Sequence, residues 1–187
     1  KGAFVRAMAS APEVLFVAAA GNENADSSFA ESIPADIVLP NLITVGAVDK
    51  AGDEAPFARY GKAVVVHANG YLVDSVIPGG ERLAESGTSM AAPQVTYLAA
   101  KILAVNPALT PPQVIGIIRE TAEKTADGRR VVIHPRKAIA AASPSLACSP
   151  TIRCMARRSR SCVAWNGSAR WPDRCTSTYP SALAVCL

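Results

Sequence analysis

Three apolar runs of strand length divide the first part of the chain: Val14-Leu15-Phe16-Val17-Ala18-Ala19-Ala20, Leu42-Ile43-Thr44-Val45-Gly46-Ala47-Val48 and Ala63-Val64-Val65-Val66. Gly21 breaks the first, and Pro40-Asn41 and Asp49 bound the second, which is the pattern of a buried strand. Strands are therefore expected over 15–20, 42–48 and 63–66 in one core sheet. After Ser89 the period changes. Val95, Leu98, Ala99, Ile102 and Leu103 recur at helical spacing, so a helix is expected to start near Ser89 and pack on that sheet.

A second helix is announced by Thr110-Pro111-Pro112-Gln113, with Pro in the first turn and the spacing of a capping box. Val114, Ile115, Ile117 and Ile118 form its apolar face, and Asp127-Gly128 marks a turn beyond. The Ala-rich stretch 136–142 predicts a short closing helix, and residues 1–8 read as the end of another. This order of strands and helices argues an α/β layer fold with a mainly parallel sheet.

Half of the 187 residues are apolar, enough for a sizeable core. No apolar run approaches the ~20 residues of a membrane span. The net charge of +4 hides a division. Residues 1–143 hold 13 Lys and Arg against 14 Asp and Glu, whereas residues 144–187 hold six Arg, one acid (Asp173) and all five cysteines. A boundary is expected near Ser143-Pro144, with one domain over 1–143 and a Cys- and Arg-rich tail over 144–187. The cysteines form no Cys-x-x-Cys pair, which argues against a zinc site. The tail shows no amphipathic period and is expected to be disordered, as an out-of-frame or unrelated extension. Because the basic excess belongs to the tail, no nucleic-acid partner is expected for residues 1–143.

Two segments carry candidate chemistry. In Ser86-Gly87-Thr88-Ser89-Met90-Ala91-Ala92-Pro93, glycine permits a sharp turn, the serine stands at the head of a helix, and Pro93 is expected within the first helical turn, where proline is tolerated. Backbone N–H groups there lack intrahelical partners, and the positive end of the dipole favours negative charge. In Ala18-Ala19-Ala20-Gly21-Asn22-Glu23, a carboxamide follows the end of a buried strand and is held stiffly. Taken singly, Gly-x-Ser mostly means a turn and Gly-Asn a strand end or cap.

Occurring together, in this order and 67 residues apart, the two segments resemble the nucleophile and oxyanion segments of the subtilisin-like serine proteases (subtilases). The resemblance covers roughly residues 10–140, the C-terminal half of such a catalytic domain. Ile33-Pro34-Ala35, the run 41–49 and Pro56-Phe57-Ala58-Arg59-Tyr60-Gly61 resemble further segments of the family. It implies a partial subtilisin-like three-layer α/β fold and hydrolysis of peptide bonds through an acyl-enzyme. Ser89 would be the nucleophile and Asn22 the side-chain oxyanion donor, with the Ser89 N–H as the second donor. Ala19, Ala20 and Gly21 would form one wall of the main specificity pocket, with Glu23 at its rim. Gly87 and Thr88 would flank the nucleophile, the Thr88 hydroxyl assisting at the oxyanion. No cofactor is required. Calcium is implied by the resemblance alone, although the best-known sites of the family use residues not present here. The implied partner is a peptide or protein substrate, and the implied location is secreted or extracytoplasmic.

The chain also departs from the family. His67-Ala68-Asn69-Gly70 stands where Ala-Ala-Pro-Gly is common, Gln94 where histidine is frequent, and Thr96-Tyr97 where two small residues are usual. The family carries its catalytic Asp and His before the Asn segment, and only 21 residues precede Asn22. Neither His67 nor His134 lies in His-Gly-Thr-His, and no Asp-Ser-Gly or Asp-Thr-Gly occurs. Both histidines read as strand-end residues, and Asp26, Asp36, Asp49 and Asp53 as solvated turn residues. Half of an active site is expected, with turnover by this chain alone close to nothing and a hydrophobic sheet edge exposed where the N-terminal strands of such a domain belong. The alternative is a non-catalytic subtilase-like binding or scaffold chain.

Overall fold

The computed structural model describes residues 1–143 and the backbone of residues 184–186. Helix α1 (Gly2–Ala9) leads into β1 (Leu15–Ala19), β2 (Leu42–Val48) and β3 (Val66–Asn69). A hairpin of β4 (Val73–Val76) and β5 (Arg82–Glu85) precedes the long helix α2 (Thr88–Val105). Then follow α3 (Pro111–Thr121), the short strands β6 (Glu123–Lys124) and β7 (Val131–Val132), α4 (Pro135–Ala141) and β8 (Ala184–Cys186).

The main sheet runs in the order β6-β7-β3-β2-β1-β8. Strands β1 and β2 are parallel, with Phe16 opposite Leu42 and Ala19 opposite Val45. Strands β2 and β3 are parallel from Val45 opposite Val66 to Val48 opposite Asn69. Only β6 with β7 runs antiparallel in this sheet. All of β2 is buried, as expected for a strand covered on both faces.

Helices cover the two faces and make three layers. On one face α2 presents Ala91, Ala92, Val95, Leu98, Ala99 and Ile102 to the strands, backed by Val114 and Ile118 of α3 and Ala138 of α4. On the other, Met8 of α1 packs with Ala18, Leu42 and Ile37. Buried Asn41 joins this layer to the sheet, its amide reaching the carbonyls of Met8 and Ala11 at 3.0 Å each. The capping box forms as the sequence predicts, Thr110 with Gln113 at the head of α3.

Three expectations need correction. The third strand begins at Val66, not Ala63, because the Val64 N–H closes a turn onto Gly61 O at 3.2 Å before pairing with β2 can start. His67 and Asn69 therefore belong to the strand. Pro93 lies inside α2 rather than in its first turn, and lacking an N–H it leaves the Ser89 carbonyl without its helical donor. The edge of β1 is not open: β8 pairs with it in parallel, Leu15 opposite Ala184 and Val17 opposite Cys186. Apart from that strand's backbone, the tail expected to be disordered lies outside the described residues. Among the described residues no helix is long and apolar enough to cross a membrane.

Candidate active site

The segment that carries Ser89 is anchored from below by backbone bonds. Gly70, at the end of β3, donates its N–H to Val48 O and receives the Gly87 N–H, both at 2.8 Å. The Leu72 N–H binds Ser86 Oγ at 2.9 Å. These bonds pin both legs of the β4–β5 hairpin, which delivers Gly87 to the head of α2 at a fixed height above the sheet. Ser89 is the second residue of that helix and is exposed, beside buried Gly87 and Thr88. Its N–H lies in the first turn, where no intrahelical acceptor exists. On one side the hydroxyl opens on a cavity of about 520 Å³ lined by Met90, Tyr97, Leu98, Ile133 and Ile139.

Asn22 comes to this point from the end of β1. Gly21 makes the turn with φ +114°, a backbone that disfavours any side chain, and a Cβ there would lie 2.4 Å from Glu23 Oε2. The Thr88 backbone N–H donates to Asn22 Oδ1 at 2.9 Å, and the Thr88 hydroxyl donates to the same oxygen at 3.0 Å. A backbone N–H can only donate, so the atom facing it must be the carboxamide oxygen. The amide NH2 is thereby turned the other way, and among the described residues it has no hydrogen-bond acceptor. Thr88 Oγ1 also accepts the Gly21 N–H at 3.1 Å, so one buried threonine fixes both the loop and the amide.

Gly87 shows what lies between the two groups. Its backbone is extended, and any residue could adopt it. A Cβ at Gly87, however, would stand 3.3 Å from Asn22 Nδ2 and 3.7 Å from the Ser89 nitrogen. The empty volume beside Gly87 thus borders on two N–H donors, one from a side chain and one from a helix head. Ala19 and Gly21 are half-buried, Ala20 is buried and Glu23 is exposed, in continuous line along the end of β1.

The two histidines are elsewhere. His67 is buried in β3, its ring against Gly46, where a Cβ would lie 2.6 Å from His67 Cδ2. Its Nδ1 accepts the Val131 N–H at 3.3 Å. Burial pushes its pKa below the ordinary imidazole value, which favours the neutral ring. It borders a separate cavity of about 440 Å³ with Glu54, Tyr60 and Arg130. His134 caps α4, its Nδ1 accepting the Lys137 N–H at 3.2 Å, and its Nε2 lies 3.7 Å from Glu123. Among the described residues neither histidine lines the Ser89 cavity.

Two features escape sequence reasoning. Asp36, expected to be a solvated turn residue, is nearly buried and pairs with Arg59 at 2.8 Å; Arg59 itself gave no sign of being a core residue. The departures at Asn69 and Gln94 meet: Gln94 Nε2 donates to Asn69 O and, at 3.2 Å, to Met90 O. Asp49 and Asp26 are engaged locally. Asp49 Oδ1 accepts from the N–H groups of Ala51 and Asp53, and Asp26 from that of Ser28, which holds its carboxyl below the usual range. Among the described residues no three His, Cys, Asp or Glu side chains gather as a metal-binding cluster.

The sequence model of the Subtilase family matches residues 2–137. Subtilisin of Bacillus pumilus is 39% identical over 113 residues, 60% of this chain and 39% of that protein. Subtilisin-like protease 6 of Arthroderma benhamiae is 42% identical over 90 residues, 48% of this chain and 21% of that protein. A cold adapted subtilisin-like serine proteinase of known crystal structure superposes with a TM-score of 0.65 at 32% identity, covering 72% of this chain and 50% of that one. The chain spans about two-fifths or less of the length of these curated relatives. Matched over most of its length by one family, and folded on the frame of that family's structures, the chain belongs to the subtilases.

Proposed function

We propose that this chain carries the nucleophile and oxyanion half of a serine endopeptidase site. Ser89 Oγ attacks the carbonyl carbon of a bound peptide and gives its proton to a general base supplied from outside residues 1–143. The carbonyl oxygen becomes an oxyanion, which the Ser89 N–H and Asn22 Nδ2 stabilise. The tetrahedral intermediate collapses to an acyl-enzyme as the protonated amine leaves, and water repeats the sequence to release the acid. Ala19, Ala20 and Gly21 hold the substrate in ground and transition states alike, with Glu23 at the rim of the pocket. Thr88 orients Asn22, and Gly87 keeps the oxyanion volume empty. Substrates are peptides or proteins, and an extracytoplasmic location goes with that activity.

The observation that carries this reading is the Asn22 amide. Its oxygen is committed to Thr88, and its nitrogen and the Ser89 nitrogen both border the volume a Gly87 Cβ would fill. Donors fixed in advance at the site of developing charge are the largest usual source of rate in acyl transfer.

The test supplies the base. In a protein joining this chain to the Asp- and His-bearing half of a subtilase, a serine-directed phosphonylating reagent should label Ser89 and peptides should be cleaved. Ser89→Ala should abolish both, with a fall in turnover of about 10⁶, a magnitude borrowed from subtilisin itself. The 187-residue chain alone should label scarcely at all. Labelling elsewhere, or cleavage that survives Ser89→Ala, would exclude the assignment.

A further inference from the structure

The strand ends of this site rest on a buried ion pair that the reaction itself does not use. The segment 57–60 runs alongside 21–27 and is bonded to it four times. The Asn24 N–H binds Phe57 O at 2.9 Å, the Arg59 N–H binds Gly21 O at 3.1 Å, the Tyr60 N–H binds Ala25 O at 3.2 Å and the Ser27 N–H binds Tyr60 O at 2.9 Å. Arg59 lies directly behind Gly21: its Cδ is 3.3 Å from the point a Gly21 Cβ would occupy. The side chain is 2% exposed and reaches Asp36 Oδ2 at 2.8 Å. The same oxygen accepts the Ser32 N–H at 2.6 Å.

This pair is a poor way to gain stability. Arg59 Nη1 and Asp36 Oδ1 are buried with no hydrogen-bond partner among the described residues. Burying two charges is repaid only when geometry is good and the remaining donors and acceptors are satisfied; apolar residues of similar volume often serve as well or better. What the ion pair supplies and an apolar pair lacks is direction. It ties residue 59 to the segment 32–36, and the Arg59 N–H then holds the carbonyl of Gly21. On its other side the Gly21 N–H is held by Thr88. The glycine that aims Asn22 is clamped at both ends.

We propose that Arg59 and Asp36 form a positioning pair for the oxyanion loop, Arg59 acting on Asn22 through the Gly21 carbonyl. The proposal rests on the protease reading for its purpose, but its first test needs no turnover. In the 187-residue chain, amide hydrogen exchange at Gly21 and Thr88 is compared with exchange at Ala20, whose N–H binds Val45 O within the sheet at 2.9 Å. Three variants are used: Asp36→Asn, Arg59→Lys, and the paired replacement Arg59→Met with Asp36→Leu. Global destabilisation speeds all three amides together, whereas loss of positioning speeds Gly21 and Thr88 alone. The expected result is a rise of at least tenfold in the Gly21-to-Ala20 and Thr88-to-Ala20 ratios, largest in the paired variant and smallest in Arg59→Lys. Should the paired variant not fold, the two single variants give the same ratios. Unchanged ratios in the folded variants would overturn the proposal. In the catalytically complete protein, the corresponding outcome is a fall of tenfold or more in kcat with KM within about twofold, partly rescued by lysine at position 59. A shifted exchange ratio in a protein whose Ser89 never labels would sink the protease reading and leave the positioning role standing.

Discussion

Just beyond the end of β1 stands Asn22; inside β3, with β2 between them, stands His67. Both are polar side chains following apolar strand runs, and by sequence each reads as a strand-end residue. Their surroundings separate them. Asn22 is exposed, its oxygen committed to Thr88 and its NH2 without an acceptor among the described residues. The His67 ring is buried against Gly46, its neutral form favoured by burial, with Nδ1 already accepting from Val131. What separates them is exposure and place. A polar group serves the Ser89 site when one of its atoms is fixed and another is exposed beside that serine, whereas His67, 6% exposed, borders a cavity that Ser89 does not line. The two positions can be tested against each other.

The largest effect is expected at Asn22. In the catalytically complete protein, Asn22→Ala should lower kcat about 10²–10³-fold, the magnitude known for subtilisin itself, while KM changes little. The oxyanion exists only at the tetrahedral stage, so its donor contributes nothing to ground-state binding. Steady-state kinetics on a peptide substrate measure both parameters. A variant with normal kcat would erase the distinction between Asn22 and His67.

A smaller loss is expected at Gly87. Gly87→Ala requires no change of backbone, yet its Cβ would press on Asn22 Nδ2 at 3.3 Å and intrude on the volume between Asn22 and the Ser89 nitrogen. A fall in kcat of about ten- to a hundredfold, below the cost of losing the donor outright, is the expected outcome. Thermal denaturation of the same variant should be near that of the parent. A variant that loses its fold and its activity together would mean that Gly87 serves packing instead.

The sequence reveals much of this frame, for identifiable reasons. Residues 42–48 form a continuous apolar run and become the fully buried β2, because a strand covered on both faces leaves no room for ambiguity. The capping box at Thr110 is local chemistry and needs no tertiary partner. The third strand is displaced because a short run of valines does not say where a turn ends; the Val64 bond to Gly61 decides that. Arg59 and Asp36 stay hidden for a deeper reason. Each alone reads as a surface charge, and burial is attainable only because the two segments meet behind Gly21. The bond between Gln94 and Asn69 is of the same kind, two departures from the family pattern that make sense only as a contact. Candidate residues of the site are legible because they sit in contiguous motifs; the residues that hold them are scattered.

Thr88 offers a way to sharpen the comparison by changing the support and sparing the donor. Thr88→Val keeps the backbone N–H that holds Asn22 Oδ1 and removes the hydroxyl that both donates to that oxygen and accepts from Gly21. The Gly21 N–H would lose its acceptor in a half-buried setting, which costs up to about 1–3 kcal/mol. Denaturant titration should register that loss. In the catalytically complete protein kcat should fall by about tenfold or less, because one of the two bonds on Asn22 survives.

The smallest effect belongs to His67 and concerns stability. Burial lowers its pKa in the folded chain below the ordinary value of 6.5. Above about pH 6.5 the ring is neutral both folded and unfolded, and its contribution is fully present. As the pH falls through 6.5 the unfolded chain takes up the proton first, so stability declines towards the folded pKa. The exposed carboxylates whose pKa values are lowered, such as Glu123 and Asp127, start from 4.5 and 3.8 and titrate below this window. Melting temperatures measured between pH 7.5 and 5 should therefore fall in the parent. His67→Gln keeps an oxygen able to accept from Val131 and does not titrate, so its curve should be flatter over the same range. Peptide cleavage by the catalytically complete His67→Gln protein should keep the parent's pH profile, since the ring faces a different cavity from Ser89. If the variant shifts that profile and leaves the melting curves parallel, His67 belongs with Asn22 among the reacting groups, and the contrast between the two strands fails.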